Sequence, residues 1–287
     1  MDLNYLLFII AILNLAGDLY NSYRYRTRLP TWIRIFVASA FGSCVIAWFT
    51  AQEVAGYFAA TVLLVYLITM KTYSRSRTSR PSEAKPVTWL LIGLNCLGFI
   101  VQWYFDATFD LDELVHLGAL YTPLFGSGEW WRLFSAQILH LGILHLACNM
   151  LGLSFVGPLV ENAIGKFWYV VGYLISGTGG MLIAINLYTY DRVDTPIVLV
   201  GASANVLGLV GIAAASALRK YRVSRSAIAK AQLSTMAQIV LLQVIFDSLV
   251  PQVSSRAHIA GAAVGFLFGL IISYLPSPPN TRRGPVW

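Results

Sequence analysis

Long apolar runs separated by short polar stretches fill this 287-residue chain. The runs lie near 3–20, 32–50, 54–70, 87–105, 134–160, 167–188, 201–218, 234–250 and 257–275. About 17–20 apolar residues are enough for a helix to cross roughly 30 Å of hydrocarbon. The pattern therefore predicts nine helices. Asn4, Asn14 and Asp18 interrupt the first run. It has neither a basic start nor a small-residue cleavage site, so it reads as a retained helix rather than a leader.

Composition sharpens this to an all-α polytopic membrane protein. Hydrophobic residues make up 57% of the chain and charged residues only 11%, against about 25% charged in ordinary soluble domains. The net charge of +7 reports membrane orientation, because the basic residues sit in alternate loops. With the N-terminus outside, the cytoplasmic stretches collect Arg24, Arg26, Arg28, Lys71, Arg75, Arg77, Arg219, Lys220, Arg222 and Arg225. The external stretches collect Glu53, Asp106, Asp110, Asp112, Glu113, Glu129, Asp191 and Asp194. That asymmetry follows the positive-inside rule. No basic patch interleaved with stacking aromatics occurs outside the loops, so nucleic acid is not an expected partner.

The chain divides by composition into a three-helix unit (1–70), a basic, Ser-rich and Pro-punctuated cytoplasmic linker (71–86), a six-helix unit (87–275) and a solvated tail (276–287). Cys44, Cys96 and Cys148 lie inside apolar runs without Cys-x-x-Cys spacing and read as small buried hydrophobes. The external stretch 106–132 is long, half apolar and rich in aromatics. A connection of that kind in a compact bundle is expected to be functional or membrane-lying.

Polar side chains inside apolar spans are costly and point to function. They are His140, His145, Asn149, Glu161, Ser203, Asn205, Asp247 and His258. On one helix His145 and Asn149 share a face, being four residues apart, whereas His140 and His145 point about 140° apart. The second spacing suits a pair of metal ligands poorly, and His145 with Asn149 also fits simple interhelical hydrogen bonding. Gly261, Gly265 and Gly269 recur every four residues, a stripe that lets another backbone approach closely. His258 lies one turn ahead of that stripe. LVGASANVLG (199–208) offers a narrow-surfaced partner helix, with Ser203 at the same external end. The preceding VDTPIVLVGA (193–202) reads as extended, descending to the start of a short helix. A serine and a histidine at matched depth on two close-packed helices form a minimal nucleophile–base pair.

In order along the chain, Trp131-Arg132, His140, His145-x-x-x-Asn149, Glu161 with Gly165, Gly201-x-Ser203 and Ala257-His258-x-x-Gly261-x-x-x-Gly265 resemble the rhomboid intramembrane serine proteases. The resemblance covers 87–275. It implies a six-helix rhomboid-like core, here with about three additional N-terminal helices. The implied activity is cleavage of peptide bonds in or beside the transmembrane segments of membrane-protein substrates. Ser203 matches the nucleophile and His258 the general base, with no third carboxylate required. His145, Asn149 and the Ser203 N–H match the oxyanion-stabilising groups. Trp131, Arg132, His140, Glu161, Gly201, Gly261 and Gly265 match supporting positions, with Arg132 an anchor in a membrane-lying first loop. Neither a metal nor another cofactor is implied, and the expected surroundings are the lipid bilayer. The expected location is a bacterial inner (plasma) membrane, with the site open to the extracytoplasmic side. Two departures stand out: Ala204 replaces a glycine after the serine, and Leu207 stands where many members carry an aromatic that stacks on the histidine. The alternatives are a rhomboid-like adaptor or chaperone that binds transmembrane helices, and a small-solute transporter. The transporter predicts inverted repeats, which the sequence lacks.

Overall fold

A computed structural model of the chain describes residues 85–108, 110–191, 196–249 and 253–274. The three N-terminal spans, the linker up to residue 84 and the tail lie outside the described residues. Those described fall in two compact units: 85–240 with 253–274 form one, and 241–249 belong to the other.

The elements of the larger unit follow the hydrophobic runs closely. They are α1 (Pro86–Tyr104), α2 (Leu111–His116), β1 (Leu120–Tyr121), α3 (Thr122–Gly126), α4 (Arg132–Ser135), a 3-10 turn (Ala136–Ile138), α5 (Gly142–Ile164), α6 (Lys166–Tyr190), β2 (Val198–Leu199), α7 (Ser203–Ser224), α8 (Ala227–Leu249) and α9 (Ser255–Tyr274). The last nine residues of α8 lie in the second unit, where Gln243 Nε2 donates to Asp247 Oδ1 at 2.7 Å. Four helices are long and apolar enough to cross a membrane: Pro86–Tyr104, Lys166–Tyr190, Ala227–Ser248 and Ser255–Tyr274.

Helix boundaries differ from the sequence pattern in three instructive places. The run at 134–160 does not form one helix. It breaks after the 3-10 turn, where Leu139 is extended (φ −92°, ψ 149°) and Gly142 takes φ +84°. His140 therefore precedes α5 and shares no helix with His145. Helix α7 is 22 residues long rather than short, continuing through the basic end to Arg225, whose φ is +51°. Helix α8 begins earlier than the apolar run suggests, at Ala227. Hydropathy marks hydrocarbon thickness, whereas a helix continues until its backbone is stopped.

Helix α7 packs against α9, α6 and α5, and α1 packs against α5. The α7–α9 seam is set by glycine. A Cβ on Gly261 would strike the Ala204 carbonyl, and one on Gly265 the Gly208 carbonyl. One on Gly269 would lie 2.9 Å from Ile212 Cα. The contacts repeat every four residues on both helices, so the two backbones touch along three turns. Gly180 of α6 approaches the same surface, where an added Cβ would lie 3.0 Å from Gly261 Cα.

At the other end of the bundle, Glu161 of α5 caps the start of α1. Its carboxylate accepts from Thr88 N–H (2.9 Å), Thr88 Oγ1–H (2.8 Å) and Val87 N–H (3.4 Å). Tyr169 Oη lies 3.1 Å from the same hydroxyl, and Lys85 Nζ donates to Asn162 Oδ1. The first N–H groups of a helix have no partner of their own, and in an apolar surrounding each one left bare is costly.

Two outcomes follow for the fold. Gly265→Ala should destabilise the protein by about 1–3 kcal/mol or more, because the added methyl meets backbone that cannot yield. Glu161→Leu should cost about 1–3 kcal/mol by stranding the α1 donors. Both are read as a lowered midpoint of denaturant unfolding in detergent micelles, with a smaller effect expected from Gly93→Ala, where an added Cβ meets nothing within 4 Å.

Candidate active site

Each component of the site sits where one element ends and another begins. Strand β2 pairs antiparallel with β1, with Leu120 opposite Leu199 and Tyr121 opposite Val198. Thr122 N–H donates to Ile197 O (3.1 Å) and Ile197 N–H to Thr122 Oγ1 (3.0 Å), extending the pairing. The chain then turns at Gly201, whose φ of +112° is a left-handed conformation that side chains disfavour. A Cβ there would also lie 2.6 Å from His145 Cε1 and 2.7 Å from His145 Nε2. Glycine is required twice over: for the turn and for the closeness of the imidazole.

Ser203 is the first residue of α7, and Ala202 before it supplies no side-chain cap. Ser203 Oγ lies 2.7 Å from His258 Nε2. His258 is 5% exposed, in the first turn of α9, which Ser254 precedes and caps: Ser254 Oγ accepts from Ala257 N–H (3.2 Å) and Ser254 O from His258 N–H (3.1 Å). The glycine seam begins one turn below, so the interlock of Gly261 with Ala204 sets the distance between hydroxyl and ring.

Helix α5 brings His145 and Asn149 to the other side of the turn. Leu141 N–H donates to His145 Nδ1 at 3.3 Å. A nitrogen that accepts carries no proton, so the neutral ring has its hydrogen on Nε2, the nitrogen facing Gly201. Asn149 Nδ2 donates to His145 O at 3.1 Å and lies 3.7 Å from where a Gly201 Cβ would be. Two side-chain donors thus flank the Gly201 turn that leads into the N-terminus of α7, where Ser203 stands. That combination can hold negative charge developing on a carbonyl oxygen.

The supporting positions fall into three groups. Gly201, Gly261 and Gly265 allow backbone to approach, and Glu161 lies in the α1 cap, away from the serine. Arg132 is 5% exposed and fastens the loop before it. It donates to Val115 O and Ala119 O (2.9 Å), pairs with Glu129 (2.8 Å) and stacks on Trp131, 4.6 Å from the ring centroid. Trp131 itself is 43% exposed. The 106–132 stretch is consequently folded, with Asp110 capping α2 through Asp112 N–H (2.9 Å) and Glu113 N–H (3.1 Å). His140 is fully buried, edge-on to His145 at 5.2 Å between centroids. No cluster of three or more His, Cys, Asp or Glu side chains that could hold a metal occurs among the described residues.

Several contacts around the site escape a reading by pattern, although Asn205 itself stands out as a polar residue in an apolar span. Gln102 of α1 grips the His140 peptide from both sides, accepting from its N–H and donating to its O, each at 2.8 Å. Asn205 Nδ2 donates to Gln137 Oε1 (2.5 Å) and Tyr173 O (3.0 Å). Arg256 pairs with Asp191 at 2.7 Å, lies 4.3 Å over the Tyr188 ring, and Tyr188 Oη shares a 3.1 Å hydrogen bond with Ser254 Oγ. That group ties the head of α9 to the end of α6. The only signal for Gln102 and Gln137 was an amide inside an apolar run.

The model of the Rhomboid domain matches residues 127–275 of this chain. Rhomboid protease GluP of Bacillus subtilis (strain 168) is 30% identical over 185 residues, covering 64% of this chain and 34% of that protein. RHOMBOID-like protein 5 of Arabidopsis thaliana is 33% identical over 168 residues, 58% of this chain and 52% of that protein. The chain thus spans between a third and about half of the length of these two curated relatives. Rhomboid protease AarA of Providencia stuartii is 31% identical over 229 residues, 73% of this chain and 79% of that protein. With its apolar helices and a matched segment that contains Arg132, His145, Ser203 and His258 alike, the chain is an integral, multi-pass membrane protein of the rhomboid family.

Proposed function

We propose that this protein is an intramembrane serine endopeptidase that cleaves transmembrane segments of membrane-protein substrates. The observation that carries the reading is the 2.7 Å approach of Ser203 Oγ to His258 Nε2 across two helices locked by glycine.

The reaction divides among the residues as follows. His258, neutral with its proton on Nδ1, accepts the Ser203 hydroxyl proton at Nε2 while Oγ bonds to the scissile carbonyl carbon. The carbonyl oxygen, now an anion, is held by His145 Nε2–H, Asn149 Nδ2–H and the Ser203 N–H. Collapse breaks the C–N bond, and the imidazolium returns its proton to the leaving amine. Water then attacks the acyl-enzyme, giving its proton to His258, and the second collapse breaks the C–Oγ bond as His258 returns that proton to Ser203 Oγ. Asn149 turns from the His145 carbonyl to the oxyanion, a rotation of one amide. Ser203 and His258 lie at the ends of their helices nearest the acidic stretches, and the charge asymmetry of the sequence supports an extracytoplasmic site.

Reconstituted, full-length protein should cleave a model transmembrane substrate and be labelled on Ser203 by a fluorophosphonate. Ser203→Ala should abolish both, and His258→Ala should lower cleavage by about three orders of magnitude or more. Undiminished cleavage by the Ser203→Ala protein would sink the mechanism; absence of cleavage and labelling in the unmodified protein would favour a helix-binding adaptor. His145→Ala and Asn149→Ala should each reduce kcat by about 10²–10³-fold. Their KM values should stay near that of the unmodified enzyme, because the charge they meet exists only beyond the ground state.

A further inference from the structure

The turn that carries the nucleophile is fastened at two points to the turn that leads into the oxyanion side. Gly201 N–H donates to Ala136 O at 2.9 Å, and four residues on, Asn205 Nδ2 donates to Gln137 Oε1 at 2.5 Å. One bond alone would be a swivel; two, to adjacent residues, fix both the depth of Ser203 and the rotation of α7 about its axis. The side-chain half is itself braced. Asn205 is wholly buried against Gly177, and its other amide hydrogen goes to Tyr173 O at 3.0 Å. Gln137 is 3% exposed and spends its own amide hydrogens on Leu133 O (2.5 Å) and Thr178 Oγ1 (2.9 Å).

Three residues beyond Gln137, the His140 peptide is gripped by Gln102, and the chain then enters α5 with His145 and Asn149. The short segment 136–140 is therefore the joint between the helix of the nucleophile and the helix of the oxyanion donors. Burying two amides in an apolar bundle costs more than burying two leucines unless the bond between them does something. From this juxtaposition we infer that Gln137 and Asn205 are positioning residues that hold Ser203 in register with His258, His145 and Asn149. The inference rests on the protease reading above, because it assigns the bridge a role in that site. Leu207 supplies no aromatic beside the histidine, so in this chain polar fastening of the turn takes over part of the alignment.

The test uses the full-length protein in proteoliposomes, comparing Gln137→Leu, Asn205→Ala, the two combined, and Asn95→Leu. Asn95 is also a buried amide, donating to Leu91 O (2.8 Å) and Tyr173 Oη (3.4 Å), but it lies on α1 outside the joint. Gln137→Leu and Asn205→Ala should each lower kcat by about 10–100-fold, with KM changed less than about twofold. The combined variant should lose less than the product of the two single losses, because both remove the shared Gln137–Asn205 bond. Asn95→Leu should lower the unfolding midpoint and leave kcat unchanged.

A second readout needs no proteolysis. The same proteins carrying Ser203→Cys, with Cys44, Cys96 and Cys148 replaced by alanine, are alkylated with iodoacetamide across pH. A thiol paired with His258 reacts well below the ordinary range of about 8.5, and loss of the bridge should move that limb up by about one pH unit. Unchanged kcat in Gln137→Leu and Asn205→Ala, or an alkylation profile the same as the parent's, would overturn the bridge as a positioning device. If the unmodified protein cleaves nothing while the profile still moves, the protease reading falls and the bridge stands. An ordinary thiol profile in the parent itself would overturn both.

Discussion

Two polypeptide backbones touch along the α7–α9 seam, and the geometry of the site follows from that touch. In a bilayer the lipid tails are as apolar as leucine, so helices gain little from hiding side chains and associate through close packing instead. Glycine at 261, 265 and 269 brings α9 against Ala204, Gly208 and Ile212 of α7. His258 stands one turn above the seam and Ser203 is the residue before its first contact, on the side where both helices begin. Their separation is thus a consequence of backbone contact, which is stiff, rather than of long side chains, which are not. A methyl group on the stripe would meet the backbone of α7, at Ala204, Gly208 or Ile212.

Polar groups away from the reacting atoms serve a different need. Where a chain inside a bundle is not helical, its N–H and C=O groups need partners from elsewhere, since hydrocarbon offers none. Two such stretches flank the site, 136–141 and 196–202. The first borrows Gln102 and the Gly201 N–H; the second borrows Thr122 and the β1 strand. Arg132 does the same for the carbonyls of Val115 and Ala119. These are the residues that make irregular backbone tolerable at that depth, and irregular backbone is what exposes a helix N-terminus beside a serine.

The 106–132 stretch connects these two ideas. Its β1 strand pairs with the strand that runs into Gly201, and Leu120, Leu133 and Ala136 pack with Met181, Ile185, Leu199 and Ala257 in one apolar cluster. The loop is therefore part of the scaffold of the turn that carries Ser203. Its outward-facing Trp130, Trp131 and Phe134 remain on the surface, in keeping with a segment that meets lipid headgroups.

Much of this was legible in the chain itself, and the parts that were not share a cause. Apolar runs and the sign of loop charges report hydrocarbon thickness and membrane side, quantities that depend only on local composition. They determined the class, the rough places of the long helices of the larger unit, and the common end at which Ser203 and His258 lie. The glycine stripe announced a close helix contact, because a period of four puts one surface on one side of a helix. Where α5 begins was not legible: the break at Leu139–Gly142 lies inside an unbroken apolar run, and hydropathy is blind to backbone direction. Nor was the pairing of Gln137 with Asn205, 68 residues apart, or of Gln102 with His140. Which amide finds which depends on how the helices cross, and only the tertiary structure decides that.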